Sequence, residues 1–351
     1  MNLDLPPSYE PKSLDQQSNS RIKSLLPVPH YQASYLKSNL DKSWTVVIKK
    51  KSVKAGFLVF LSEDAYVKYN FYKHNPTMDS IKFQQHGFGV PLFKLTSRKE
   101  GTFPHYYYLS FKRYVPTNVW PFDENKDFYE FCKVSKTTHI GYTCFVFEFT
   151  PDPTDPGLDF KVFMFSHSRL PISDYMYKGE RRRWIEETLL DEFKRQGVMR
   201  YGFKNTVLKS DQVSLTDNWD GESKELGIKR KNPYLSGYFK KRFSWSYRLP
   251  KEEYYGESPS AVLCESLKSI QPGFSGIKVV DKLTKNLNTN YESITSLSEE
   301  VLVTICIGTV LNWEKDAEII RAYETTYHNH RSRPTKYYYS LSNLDFESDH
   351  E

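Results

Sequence analysis

The stretch at residues 301–311, VLVTICIGTVL, is apolar on every side. Its β-branched residues favour a strand, whereas its length and the capping box formed by Ser296 and Glu299 favour a helix. We interpret it as a helix, within residues 299–320. A helix that is apolar all round must be buried all round. Because many strands precede this helix, we expect it to lie inside a closed sheet. The run is far shorter than the roughly 20 residues that span a bilayer.

Short runs of aromatic and β-branched residues precede this helix. Aromatic residues make up 16% of the chain, and Tyr and Phe favour strands. Phe145, Phe147 and Phe149 alternate with other residues, as in a strand with one face buried. The predicted strands are 44–48, 57–61, 106–111, 142–149 and 161–165, with a hairpin turn at 150–157. The expected fold class is therefore mainly β (α+β), a closed antiparallel β-barrel around the late hydrophobic helix.

One further helix is predicted near residues 184–196. In the sequence RWIEETLLDEFKRQG, Ile185, Leu189 and Phe193 recur at a spacing of four, with acidic residues early, basic residues late and Gly197 at the end. The polar residues that follow, about 198–236, are interpreted as an irregular insertion.

These patterns divide the chain into three parts. Residues 1–40 are expected to be a disordered arm, 41–325 a folded domain, and 326–351 a polar C-terminal tail. The four cysteines are scattered without a C-x-x-C pair, so neither a zinc site nor a disulfide framework is expected. No signal peptide is recognised. The expected location is cytoplasmic, with a peripheral membrane or nuclear location as alternatives.

The N-terminal arm contains a P-P-x-Y motif formed by Pro6, Pro7 and Tyr9. Proline-rich segments already favour the polyproline II conformation, and their rings pack into the aromatic groove of a WW domain. Because the arm is expected to be disordered, we expect the motif to be within reach of a partner. We therefore interpret these three residues as a WW-binding site, with a chance match as the alternative.

Clusters of basic residues lie beside aromatic residues. Guanidinium groups pair with phosphate, and aromatic rings settle at a membrane interface. The interpretation is an anion-binding or lipid-binding surface, and the alternatives are a solvated charged face or a nuclear import signal. Nucleic-acid binding is not expected, because the clusters are separate and the net charge is only +6. The predicted anion-binding residues are Arg181, Arg182, Arg183, Lys240, Lys241 and Arg242.

The aromatic strands and the late helix ending VLNWEKDAEIIRA resemble the tubby C-terminal-like superfamily. That superfamily includes tubby domains, phospholipid scramblases and LURP-one-related proteins. The stretches YMYKGERRRWI (175–185) and FSWSYRLP (243–250) resemble a strand of its fungal members. The resemblance implies a β-barrel around a central hydrophobic helix and binding of phosphoinositides through basic residues.

No catalytic residues, metal ligands or cofactor are predicted, because the sequence lacks G-x-S-x-G, H-E-x-x-H and a glycine-rich phosphate loop. The sequence therefore favours a non-enzymatic adaptor, in which the barrel contacts an anionic membrane or an acidic partner. WW domains are common in HECT-type ubiquitin ligases, so the resemblance of the motif implies such a ligase as partner. The alternative is an enzyme acting on a lipid or phosphate ester in a basic aromatic cleft.

Overall fold

A computed structural model describes ten segments of the chain. They are residues 44–52, 56–99, 107–115, 122–123, 125–188, 201–227, 232–235, 262–265, 274–279 and 297–329. The predicted residues Pro6, Pro7, Tyr9, Lys240, Lys241 and Arg242 lie outside these segments.

The described residues form one antiparallel sheet of twelve strands. Each strand pairs with two neighbours, and β1 pairs with both β2 and β12. The strands are β1 (Trp44–Ser52), β2 (Gly56–Phe60), β3 (Phe93–Lys99), β4 (Tyr107–Tyr114), β5 (Phe128–His139), β6 (Tyr142–Phe149), β7 (Phe160–His167), β8 (Ile172–Tyr177), β9 (Glu180–Thr188), β10 (Tyr201–Val207), β11 (Val262–Glu265) and β12 (Phe274–Val279).

The predicted mainly β class is confirmed. The five predicted strands correspond to β1, β2, β4, β6 and β7. The predicted hairpin also forms, since β6 and β7 pair along their whole lengths from Tyr142↔His167 to Phe149↔Phe160. The alternation of aromatic residues therefore correctly predicted the strand and its buried face, since Phe145, Phe147 and Phe149 lie in one core.

Two helices between β2 and β3 were not predicted: α1 (Glu63–His74) and α2 (Met78–Gln85). Ser62 caps α1 by accepting a hydrogen bond from the backbone N–H of Ala65 at 3.1 Å. Thr77 and Ser80 form a reciprocal capping box at the start of α2. The two helices form a capped helical hairpin beside β1 and β2.

The prediction of a helix near residues 184–196 is wrong for residues 184–188, because residues 180–188 form strand β9. The remaining residues of the predicted helix lie outside the described segments. This strand pairs with β8 on one side and β10 on the other. Trp184 and Ile185 are adjacent in sequence and both buried, so the strand is covered on both faces. These pairings and the burial outweigh the helical pattern of the isolated sequence. The predicted irregular insertion is also interrupted by strand β10.

The helix predicted within residues 299–320 is confirmed as α3 (Glu299–Asn329), which extends past residue 320 and past the predicted end of the folded domain at residue 325. Every residue from Val301 to Leu311 is buried. Among the described helices, none is both long enough and apolar enough to cross a membrane.

The apolar side chains of α3 belong to a large core that we call the inner core. This core includes side chains from each of the first ten strands, such as Val46, Phe93, Phe147 and Tyr175. Its aromatic rings contact one another, as in the pair Phe93 and Phe131 with centroids 5.3 Å apart. The helix therefore packs against strands distributed widely through the sheet.

A second core lies on the other face of β6 to β9, and we call it the outer core. The strands contribute Tyr142, Cys144, Val146, Phe163, Phe165, Ile172 and Ile185. The opposing side chains are Leu215, Leu226, Tyr234 and Leu235. These come from residues 208–227 and 232–235, which we call the covering segment. The part of the chain predicted to be a polar insertion therefore covers an apolar face of the sheet.

Candidate functional site

Three of the predicted anion-binding residues lie at the start of β9, after a tight turn in which Lys178 and Gly179 have φ values of 48° and 82°. Successive residues of a strand face opposite sides of the sheet. The side chain of Arg182 accordingly faces α3, whereas those of Arg181 and Arg183 face the covering segment. The cluster that is contiguous in sequence is divided between two environments.

On the outer side, Arg183 is fully buried and donates two hydrogen bonds to the carboxylate of Asp174, both at 2.7 Å. Burial disfavours the charged guanidinium, but Asp174 raises the pKa of Arg183 above its ordinary value. Arg181 donates to Asp217 at 2.9 Å and to backbone carbonyl groups of the covering segment. Both arginines fasten that segment to the sheet.

On the inner side, Arg182 donates to Glu180 of its own strand and, at 2.8 Å, to Glu300 of α3. Burial alone would lower the pKa of Arg182, yet Tyr175, Glu300 and Glu180 raise it. This arginine therefore links β9 to the first turn of α3.

The structure thus does not place Arg181, Arg182 and Arg183 on an open surface, where the sequence-based prediction of anion binding needs them. The guanidinium groups of Arg182 and Arg183 are buried, and each of the three is paired with a carboxylate of the same chain. A buried arginine that is already paired does not present its charge to an external anion. Of the carboxylate partners, Glu180 adjoins the cluster in sequence, whereas Asp174, Asp217 and Glu300 are separated from it along the chain and could not be identified from the local pattern.

Asp174 is the centre of the polar contacts in the outer core. Besides Arg183, its carboxylate accepts hydrogen bonds from Ser214 Oγ at 3.0 Å and from the backbone N–H of Leu215 at 2.8 Å. The outer-core residue Tyr142 similarly accepts a bond from the N–H of Leu226 at 2.9 Å. These contacts hold a segment of mostly irregular structure on the sheet.

His167 supports the same region from the end of β7. Its Nδ1 accepts hydrogen bonds from the backbone N–H groups of Arg169 and Leu170, at 3.0 and 2.9 Å. Its Nε2 lies 3.1 Å from the carbonyl oxygen of Tyr234 and, with Nδ1 accepting, must be the donor. Burial lowers the pKa of His167, so the arrangement suits a neutral imidazole.

The described thiols do not resemble a nucleophilic site. Cys132, Cys144 and Cys306 are free and buried. Burial raises the pKa of Cys132, and it raises that of Cys144 to about 12, so the reactive thiolate is disfavoured. Within the described segments, no group of three His, Cys, Asp or Glu side chains is arranged to hold a metal ion.

The most exposed apolar surface of the described residues lies on the helical hairpin. Val67 and Phe71 of α1 and Met78 and Phe83 of α2 are each at least half exposed. Sequence reasoning missed this surface because it did not recognise the two helices. The signal was present in α1, where Val67 and Phe71 at i and i+4 share a face different from that of the buried Ala65 and Tyr69.

Comparison with known proteins gives one family. No curated protein and no solved structure matches the chain. The model of a family described as DIA1 matches residues 41–318. This range begins three residues before β1 and ends within α3, so it includes both cores and the helical hairpin. The chain therefore belongs to the DIA1 family.

Proposed function

We propose that this chain is a non-enzymatic adaptor. Its N-terminal P-P-x-Y motif recruits a WW domain of a HECT-type ubiquitin ligase. Its folded domain is a tubby-like barrel around α3 and contacts an anionic membrane surface or an acidic partner. The arm and the folded domain thus have separate binding roles.

The barrel part of the proposal is supported by strand pairing and by the contacts of α3. Each of the twelve strands has two neighbours, which leaves no edge in the strand order. The N-terminal end of α3 contacts the β8–β9 turn, where Tyr177 donates to Glu299 at 2.8 Å. Near the end of the buried stretch, Trp313 packs on Phe57 of β2 and Lys315 pairs with Glu186 of β9. These contacts are those expected of a helix that runs through a ring of strands.

The observation that carries the non-enzymatic part is the burial of α3 from Val301 to Leu311. Protein interiors are close-packed, so a helix in this position occupies the space in which a small barrel could hold a ligand. The alternative of an enzyme with a basic aromatic cleft loses support, because Arg181, Arg182 and Arg183 are paired internally.

The adaptor role predicts that Tyr9→Ala abolishes binding to a WW domain. The tyrosine ring is expected to fill a pocket that an alanine leaves empty. A peptide of this size buries little area, so the wild-type dissociation constant should be micromolar. This corresponds to a binding free energy of roughly −8 kcal/mol. The measurement is titration of the full chain with a purified WW domain of a HECT-type ligase.

Tyr35→Ala is the matched control, since it removes a tyrosine of the same arm outside the motif. It should bind like the wild type, and both variants should melt at the wild-type temperature. The adaptor proposal would be rejected if the wild-type chain did not bind WW domains. It would also be rejected if Tyr9→Ala bound them as tightly as the wild type.

A further inference from the structure

We infer that two copies of this chain form a symmetric dimer through the exposed face of the helical hairpin. We call this face the hairpin surface and define it by Val67 and Phe71 of α1 and Met78 and Phe83 of α2. The inference goes beyond the proposed function and does not depend on it.

The apolar residues of the hairpin surface are strongly exposed. The exposed fraction is 57% for both Val67 and Phe71, 68% for Met78 and 50% for Phe83. The two helices together thus contribute four of the six large hydrophobic residues that are exposed in the described segments. Scattered apolar residues need no explanation, but a concentration of them marks an interaction surface.

The aromatic rings of the hairpin form a continuous series. Phe71 contacts Tyr72 with centroids 6.1 Å apart, and Tyr72 stacks on Phe83 of the other helix at 6.5 Å. Phe83 in turn contacts Phe88 at 6.3 Å. The exposed rings of both helices therefore belong to one patch.

The exposure is not a result of poorly anchored helices. Tyr66 and Tyr69 of α1 pack on Phe60 of β2, with centroids 5.3 and 5.2 Å apart. Lys49 of β1 donates a hydrogen bond of 2.6 Å to the hydroxyl of Tyr66. Both helices have capped N-termini. One face of the hairpin is fixed to the sheet, so the other face can enter an interface without rearrangement.

The charges of the hairpin are balanced, so they select neither an anionic nor a cationic partner. α1 carries two acidic residues and two lysines, and α2 carries Asp79 and Lys82. With histidine counted as neutral, neither helix has a net formal charge, although the whole chain has a net charge of +6. Two copies that meet at this surface therefore avoid the repulsion between their net charges, and apolar surfaces without net charge tend to self-associate.

The charges of α1 are also arranged to complement a second copy of the same helix. Glu63, Val67 and Phe71 recur at a spacing of four and lie on the exposed face, with Asp64 beside Glu63 in the first turn and Lys73 in the last. In an antiparallel pair about a two-fold axis, Val67 of each copy lies opposite Phe71 of the other. The acidic first turn of each copy then lies beside Lys73 of the other, as a self-complementary two-fold interface requires.

Lys82 of α2 belongs to the same basic end. It is exposed and adjoins Phe83, whose ring stacks on Tyr72 near the end of α1. The first turn of the opposite copy therefore meets lysines from both helices. Asp79 lies three residues before Lys82 on α2 and leaves that helix neutral rather than acidic.

The apolar area of the hairpin surface suits a small homodimer interface. Four large side chains that are at least half exposed offer on the order of 100 Å² each, or roughly 400 Å² per copy. A standard interface buries about 800 Å² per partner, and somewhat more than half of that area is apolar. The remainder would come from the charged residues of the two helices. We therefore expect a dimer with a micromolar dissociation constant.

Such a dimer would bring two N-terminal arms to one end of the assembly. β1 begins at the end of the sheet that carries the hairpin, because it is antiparallel to β2 and Val47 pairs with Phe60. Under the proposed function, two P-P-x-Y motifs held in this way would bind a ligase with several WW domains at a raised effective concentration.

The test is sedimentation equilibrium of the full chain at about 1–200 μM. The wild type should pass from the mass of one chain to that of two as its concentration rises. Phe71→Ser combined with Phe83→Ser should raise the dissociation constant about tenfold or more. Circular dichroism checks that each variant remains folded.

An exchange of charges tests the antiparallel arrangement. Glu63→Lys with Asp64→Lys gives one variant, and Lys73→Glu with Lys82→Glu gives the other. Each variant alone places like charges opposite one another and should dimerise at least about fivefold more weakly than the wild type. An equal mixture of the two should recover the dimer, because each acidic end again meets a basic end.

Ile140→Ser and Lys209→Glu with Lys224→Glu are the matched controls. Ile140 is 65% exposed in the β5–β6 turn, which lies at the opposite end of the antiparallel strands from the β2–β3 connection. Lys209 and Lys224 are exposed residues of the covering segment. Each control should change the dissociation constant by less than about twofold.

A wild-type chain that stays monomeric over this range would overturn the inference and leave a different molecule as the partner of the hairpin surface. A dimer that persists unchanged in the double phenylalanine variant would also overturn it, because the interface would lie elsewhere. A mixture of charge variants that dimerises no better than either variant alone would exclude the two-fold arrangement.

Titration with a single WW domain separates this inference from the proposed function. The double phenylalanine variant should bind that domain like the wild type. Failure of WW binding by a chain that still dimerises through the hairpin surface would reject the adaptor role alone.

Discussion

The inner and outer cores lie on opposite faces of some of the same strands, but they are held together differently. In β6, Phe145, Phe147 and Phe149 enter the inner core, whereas Cys144 and Val146 enter the outer core. The inner core is completed by a regular helix. The outer core is completed by the covering segment, whose described residues are mostly turns and bends.

The difference shows how a segment without regular structure can cover a sheet. A helix satisfies its own backbone hydrogen bonds and needs only apolar side chains to remain buried. An irregular segment must find partners for its backbone groups elsewhere. Asp174, Arg183 and His167 of the sheet supply such partners to the covering segment or the adjoining turn. The outer core therefore depends on polar contacts to a greater extent than the inner core.

The largest effect is expected from Ile305→Asp in the inner core. Ile305 is fully buried in α3, so the new carboxylate would lose its hydration without gaining a designed partner. The cost of several kcal/mol is comparable to the whole stability of a domain. The variant should fail to show a cooperative thermal transition by circular dichroism.

Ile305→Val is the control, because it removes a single methylene and should cost only about 0.5–1.5 kcal/mol. A cooperative transition near the wild-type temperature for Ile305→Asp would show that α3 is not essential to the fold.

The next largest effect is expected from Asp174→Ala in the outer core. The substitution leaves the buried guanidinium of Arg183 unpaired and also removes the acceptor for Leu215, at an expected cost of about 3–5 kcal/mol. Limited proteolysis should cut the covering segment faster than in the wild type, before the sheet unfolds.

The control is Glu148→Ala, which breaks the exposed pair of Glu148 with Lys161 at 2.7 Å. Exposed pairs contribute at most about 1 kcal/mol, so proteolysis should be unchanged. Equal rates of cleavage in the two variants would argue against the polar attachment of the covering segment.

The smallest effect concerns pH. Burial lowers the pKa of His167 below the ordinary value of 6.5, so the unfolded chain binds a proton at this residue more readily than the folded protein. The stabilising contribution of the neutral imidazole is full above pH 6.5. It is lost progressively as the pH falls from that value towards the lowered pKa.

Urea unfolding between about pH 5 and 8 should therefore show a steeper loss of stability in the wild type than in His167→Gln. His74→Gln, which removes an exposed histidine of α1, should keep the wild-type slope. Parallel curves for wild type and His167→Gln would mean that this histidine does not contribute to the pH dependence.

The sequence predicts strands and α3 well where one pattern dominates. Alternation in residues 142–149 and the all-apolar surface of 301–311 are direct consequences of burial. It fails for α1, because apolar residues occur on both its buried and its exposed faces. It also fails for β9, where a helical pattern is outweighed by pairing with β8 and β10.

The sequence is least informative about the roles of charged residues. Arg181, Arg182 and Arg183 form a basic cluster in the sequence, but their partners are brought to them by the strand order and by the covering segment. Local patterns contain no information about such distant pairs. For the same reason, the grouping of Phe71 and Phe83 on one surface becomes visible only when α1 and α2 are placed side by side.

The position of α3 after all twelve described strands has a consequence for biosynthesis. A ribosome completes β12 at Val279 before it begins α3 at Glu299. During that interval, inner faces that carry Phe93, Phe111 and Phe147 have no helix to pack against. Phe57 of β2 contacts Trp313 of α3. Contacts between residues so far apart in the sequence slow folding. Until α3 is synthesised, these apolar inner faces lack their packing partner, and exposed surfaces of this kind are prone to aggregation.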